Sequence, residues 1–81
     1  MAPFTDELRR FIAELSLADP DELTDDLPLF TTGVLDSLNM VDVVAFVERR
    51  TGLRVGAGDL SLDNFGSLRA IVAYVERRTS P

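Results

Sequence analysis

The sequence predicts an all-α, four-helix bundle with a long crossover loop after helix 1 and a short third helix. Two observations carry this expectation. Three separate stretches repeat apolar residues every three or four positions, the spacing that gives a helix one apolar face. Between the first and second of them runs a stretch of about 20 residues, broken by Pro20 and Pro28, that no single helix accommodates.

The first periodic stretch is "PFTDELRRFIAELSL", in which Phe4, Leu8, Phe11, Ile12 and Leu15 share a face. It reads as helix 1, residues 4–16, begun at or just before Thr5, with Asp6 and Glu7 at the positive end of the dipole. The crossover "SLADPDELTDDLPLFTTGVLD" follows. Leu23, Leu27, Leu29, Phe30, Val34 and Leu35 are expected to pin it to the core, with room for one helical turn.

The second periodic stretch, "SLNMVDVVAFVERRTG", carries two apolar stripes. Met40, Val43, Val44 and Val47 form one; Leu38, Val41 and Ala45 form a second on a neighbouring face. Gly52 suits the left-handed residue after the helix, and Arg49 and Arg50 complement its negative end. The valines alone suggest a strand, but they do not alternate cleanly and the run is too long. After "LRVGAG", the segment "DLSLDNF" is expected to make a short helix or turn burying Leu60, Leu62 and Phe65. Ser67 then caps "LRAIVAYVERR", with Leu68, Ile71, Val72 and Val75 on one face. Arg77 and Arg78 are expected to complement the last helix's dipole and bind nothing else. Phe11, Phe30, Phe46, Phe65 and Tyr74 read as core or near-core, not as a cofactor box.

At 81 residues this is one domain, 1–81. Chains of this size bury only about 60% of their unfolded surface, so modest stability is expected. Composition excludes several chemistries. With no cysteine there is no disulfide framework, no thiolate metal site and no thiol nucleophile. Histidine and lysine are absent as well, and all eight basic residues are arginine. A serine or threonine would find no conventional base, so self-contained catalysis is not expected. The acidic segment 19–26 is dense in carboxylates but lacks the spaced ligands and the glycine of a calcium loop, so no metal site is expected. No signal peptide or membrane span is apparent, which makes the cytoplasm the expected location. The net charge of −6 disfavours nucleic acid and anionic membranes and favours partners with basic patches.

Ser37 is the residue that asks for a function. On position alone it reads as a helix N-cap, or as a first-turn residue beside an Asp36 cap. The same place suits a phosphate attached to the serine, since a helix start offers free N–H groups and a positive dipole end. Leu38, Val41 and Ala45 lie close by, away from the main stripe, and are either extra core or a partner surface. From Phe11 to Glu48 the chain has nine acidic residues and no basic one.

The stretch "GVLDSLNMVDVVAFVE" resembles the Asp-Ser-Leu signature and valine-rich second helix of the acyl carrier protein family. The order of helices matches as well, over nearly the whole chain. The resemblance implies that Ser37 is the attachment point of a 4′-phosphopantetheine arm, transferred from coenzyme A by a phosphopantetheinyl transferase. Cargo would ride as a thioester on the arm's thiol, which fits the missing cysteine. Asp36 would be the motif acid that helps the transferase and its metal dock. Leu38, Val41 and Ala45 match exposed apolar contact positions, and Asp42 and Glu48 match acids that meet basic residues of partners. Those partners would be an acyl- or aminoacyl-loading enzyme and downstream synthases or transferases, with the carrier itself a monomer.

Asn39 and Arg49 stand where the family often has acids, which points away from housekeeping fatty-acid synthesis. The expectation is a carrier of polyketide-type or other specialised metabolism, and its own Met1 and short chain favour a discrete protein. The serine context "LDSL" departs from the glycine-rich one of peptidyl carriers but partly resembles small carriers loaded with an amino acid such as D-alanine. Aminoacyl loading is therefore the alternative, and a helical interaction module without modification is a second one. The aromatic-rich interior leaves little expected room for a long acyl chain.

Overall fold

The structure is a computed structural model that describes residues 2–79, with side chains from residue 4 onward. Four helices form, in the expected order: α1 (Ala2–Ser16), α2 (Ser37–Thr51), α3 (Leu62–Phe65) and α4 (Leu68–Thr79). Helix α1 starts two residues earlier than its apolar period suggests. A proline in a first turn gives up no intrahelical bond, so Pro3 does not delay the start. As a result Asp6 and Glu7 fall beyond the first turn; they pair instead with Arg9 and with Arg50 of α2.

Helices α1 and α2 pack antiparallel. The Phe46 ring stacks on Phe11 at 4.5 Å between centroids and faces Phe4 at 6.5 Å, while Glu7 meets Arg50 one turn further along. Leu8, Ile12, Val43, Val47, Phe65, Leu68 and Ile71 are fully buried between the helices. On α4 the buried face is Leu68, Ile71, Tyr74 and Val75; Val72 sits at its edge, half-buried.

The crossover is irregular but firmly attached. It contains one 3-10 turn, Pro20–Glu22, whose first N–H groups are capped by Asp19. Leu23, Leu29 and Leu35 are buried, and Leu27, Phe30 and Val34 pack around them. Two backbone bonds tie it to the α3–α4 junction: Leu29 N–H donates to Gly66 C=O and Arg69 N–H to Asp25 C=O, each at 2.8 Å. The Arg9 guanidinium adds a bond to Leu23 C=O at 2.9 Å and an ion pair with Asp25.

The chain after α2 corrects the sequence reading in part. A second 3-10 turn, Ala57–Asp59, forms just before α3, where no element was assigned to "LRVGAG". Leu60 and Leu62 are exposed, at 43% and 62%, so only Phe65 of the expected trio is buried. The reason is length: one turn of helix directs one residue to the core, and Phe65 takes that place. Arg77 and Arg78 also do more than complement a dipole. Arg78 donates to Asp59, to the Tyr74 hydroxyl and to Arg54 C=O, and Arg77 donates to Asn64.

Candidate functional site

The site is the start of α2, and the chain leading to it is fixed before it arrives. Leu35, 3% exposed, is buried two residues before Ser37, and its N–H donates to Leu29 C=O at 2.8 Å. Gly33 makes the turn that allows this, at φ +82°, a conformation that costs a glycine nothing and other residues a good deal. Asp36 then takes extended geometry and caps the helix: its Oδ1 accepts from Asn39 N–H at 2.9 Å. Ser37 is therefore the first helical residue, beside an Asp36 cap. The sequence left both positions open.

This arrangement leaves the Ser37 side chain with no structural task. It is exposed, and its hydroxyl makes no hydrogen bond among the described residues. The other described serines are engaged. Ser61 and Ser67 accept from Asn64 and Ala70 N–H groups as caps of α3 and α4, and Ser16 donates to Ile12 C=O. The unpaired N–H groups of the first turn and the helix dipole make the surroundings of Ser37 favourable to a phosphate, by about 0.3–1 kcal/mol for the dipole at an exposed site. A phosphate ester of Ser37 would displace no side-chain hydrogen bond among the described residues.

Around Ser37 the surface is apolar. Leu38 is 80% exposed and Val41 66%, so they are not extra core. Ala45 is half-buried, and Asp42 is exposed with no partner among the described residues. Met40, Val41, Val44, Ala45, Glu48 and Leu60 line an open groove of about 260 Å³ beside this face. Leu60 joins the groove because it is not buried; nothing in its apolar spacing signals that. Glu48 is half-buried, and its Oε2 accepts from Val55 N–H at 2.8 Å. Asn39 is half-buried and Arg49 exposed.

The family model of the phosphopantetheine attachment site matches residues 6–75, nearly the whole of the chain. The chain is a phosphopantetheine-binding carrier protein. Carriers of this family are not catalysts; a phosphopantetheinyl transferase modifies them, and pathway enzymes act on what they hold. This carrier is 32% identical over 69 residues to the D-alanyl carrier protein of Streptococcus sanguinis (strain SK36), covering 85% of this chain and 86% of that one. It is 29% identical over 59 residues to the probable acyl carrier protein PigG of Serratia sp. (strain ATCC 39006), covering 73% and 68%. Among solved structures, it superposes on a chain from a crystal structure of an FAD-dependent dehydrogenase with TM-score 0.74 and 26% identity, over 84% of this chain and 97% of that one. No helix among the described residues is long and apolar enough to cross a membrane.

Proposed function

We propose that Ser37 bears the 4′-phosphopantetheine arm and that the carrier presents a small acyl or aminoacyl group to dedicated enzymes of specialised metabolism. The observation that carries the assignment is the free hydroxyl. Of the four serines described, Ser37 alone is spared from hydrogen bonding, and it stands at a helix start prepared for a phosphate. When attached, the arm supplies a thiol on which cargo is held as a thioester.

The chain's own residues prepare the transfer. Asp36 fixes the helix start with one carboxylate oxygen, leaving the other for the transferase and its metal. Leu38, Val41 and Ala45 offer apolar contact, and Asp42 a single free carboxylate. The domain acts as one unit throughout.

The packed interior supports small cargo. Fully buried side chains and the Phe4, Phe46 and Phe11 rings lie between the helices, and the groove beside α2 is open and about 260 Å³ in volume. Similarity to a D-alanyl carrier protein supports an amino acid as cargo, and similarity to a chain of the FAD-dependent dehydrogenase structure supports a flavin enzyme among the partners. A polyketide-type acyl group is the second reading, supported by the likeness to a probable acyl carrier protein.

The test has two stages. Peptide mapping of the modified carrier locates the adduct on Ser37 and on neither Ser61 nor Ser67; an adduct elsewhere contradicts the assignment. The modified carrier is then offered alanine with an adenylating ligase, and malonyl groups with an acyltransferase. Thioester formation with the amino acid alone supports the first cargo reading, and with malonyl alone the second.

A further inference from the structure

Glu48 lies eleven residues beyond Ser37, which brings it back to the same face of α2 about 16 Å along the axis. Resemblance alone would make its carboxylate a charge for partner enzymes. Its surroundings give it other work. The Oε2 atom accepts from Val55 N–H at 2.8 Å, across the left-handed turn at Gly52. Gly52 N–H donates to Glu48 C=O at 2.8 Å, and Leu53 N–H to Thr51 Oγ1 at 3.2 Å. These three bonds fold the chain after α2 back toward the helix.

The far end of that segment is held separately. Asp59 receives the Tyr74 hydroxyl at 2.7 Å and Arg78 at 3.1 Å, which fixes the 3-10 turn to α4. Leu60 follows that turn and, with Glu48 and four apolar residues of α2, walls the groove beside the Ser37 face. Arg78 also donates to Arg54 C=O at 3.1 Å and Asn64 to Asp59 C=O at 3.0 Å, so Glu48 is the anchor from α2 among several that set where this wall stands. With Asp36 engaged as a cap and Glu48 engaged with Val55, Asp42 is the one carboxylate of α2 free of an intramolecular bond among the described residues.

We propose that Glu48 is a positioning residue, a clasp that holds residues 53–60 against α2. Partner enzymes then read this face through Leu38, Val41 and Asp42. The surface fits a partner that offers an apolar pocket with one cation beside it, in place of a broad basic patch. The inference rests on Ser37 as the site of the arm, because that assignment makes this face the one partners meet.

Charge and hydrogen bonding separate in Glu48→Gln, which keeps an acceptor oxygen but loses the charge; Glu48→Ala loses both. The readouts, on the full chain, are amide hydrogen exchange at Val55 and the KM of the carrier for a phosphopantetheinyl transferase. Glu48→Ala is expected to speed Val55 exchange by about tenfold or more, the scale of losing a hydrogen bond to a charged group, and to raise KM. Glu48→Gln is expected to restore most of the Val55 protection and a wild-type KM, while Asp42→Asn raises KM and leaves Val55 unchanged. If Glu48→Gln raises KM as much as Glu48→Ala with Val55 still protected, the carboxylate is a partner charge and the proposal fails. Unchanged Val55 exchange in Glu48→Ala also overturns it. Failure of the wild type to be modified at Ser37 would instead sink the assignment of the arm, and the exchange measurement would still decide the clasp.

Discussion

Asp36 and Ser37 divide between them what a helix start asks of one residue. Asp36 holds Asn39 N–H, which leaves the Ser37 hydroxyl without a hydrogen bond among the described residues. Asp36→Ala is expected to cost about 1 kcal/mol of stability, the usual loss for a removed cap. Asp36→Asn keeps an accepting oxygen, so thermal denaturation should show near-wild-type stability while modification of the carrier slows. Equal losses of stability in both variants would contradict the division. Leu38→Ala removes a side chain that touches solvent, so stability should change by no more than about 0.5 kcal/mol, while KM for the transferase rises. That a helix starts at "LDSL" was legible in the sequence. Which residue caps was not, because aspartate and serine are both good caps and only geometry chooses between them.

The helices were legible from their apolar period; their ends and junctions were less so. Helix α1 stops through Leu17, which takes φ 62° and stands 93% exposed, while Ala18 N–H closes onto Ala13 C=O at 3.0 Å. The stop at residue 16 was legible, but glycine or asparagine usually takes the left-handed place after it, and "SLADP" has neither, so the conformation of Leu17 was not. Leu17→Gly should raise stability by about 0.5–1 kcal/mol, because it relieves the left-handed strain of a branched residue and loses no buried contact. A lower denaturant midpoint would contradict this. Between α3 and α4, a Cβ at Gly66 would lie 2.4 Å from Leu62 C=O, and the Gly66 carbonyl holds the crossover through Leu29. Gly66→Ala should therefore destabilise by about 1–3 kcal/mol, the range for forced backbone shifts, visible as a lower Tm. Leu60 and Leu62 were misread as buried for a related reason: their spacing is right for a core face, but the helix that holds Leu62 is one turn long.

At the scale of the molecule, the acidic crossover is kept in place by arginines from both sides, Arg9 from α1 and Arg69 from α4. Hydrogen bonding from Arg69 holds the Asp26 carboxyl below its ordinary value. Its contribution to stability is present at neutral pH and is lost as the pH falls through that lowered value. The pair is exposed, so the effect is small. Burial, then the bond to Asp59, pushes the Tyr74 hydroxyl above its ordinary value of 10.0. A raised value means the folded state holds this proton more tightly than the unfolded chain. That part of the stability is complete below pH 10 and declines as the pH rises beyond it. Tyr74→Phe should flatten the alkaline decline in denaturation midpoints; an unchanged slope would place its cause elsewhere. The fold class and the helix order were legible in the sequence. Contacts between separate segments, such as Tyr74 with Asp59 and Arg69 with Asp26, were not, since no local pattern encodes them. The measurement that bears most directly on the central claim is intact mass after incubation with a phosphopantetheinyl transferase, magnesium and coenzyme A. The wild type should gain the mass of one phosphopantetheine and folded Ser37→Ala none. Equal modification of both, or no modification of the wild type by an active transferase, would contradict the assignment of Ser37.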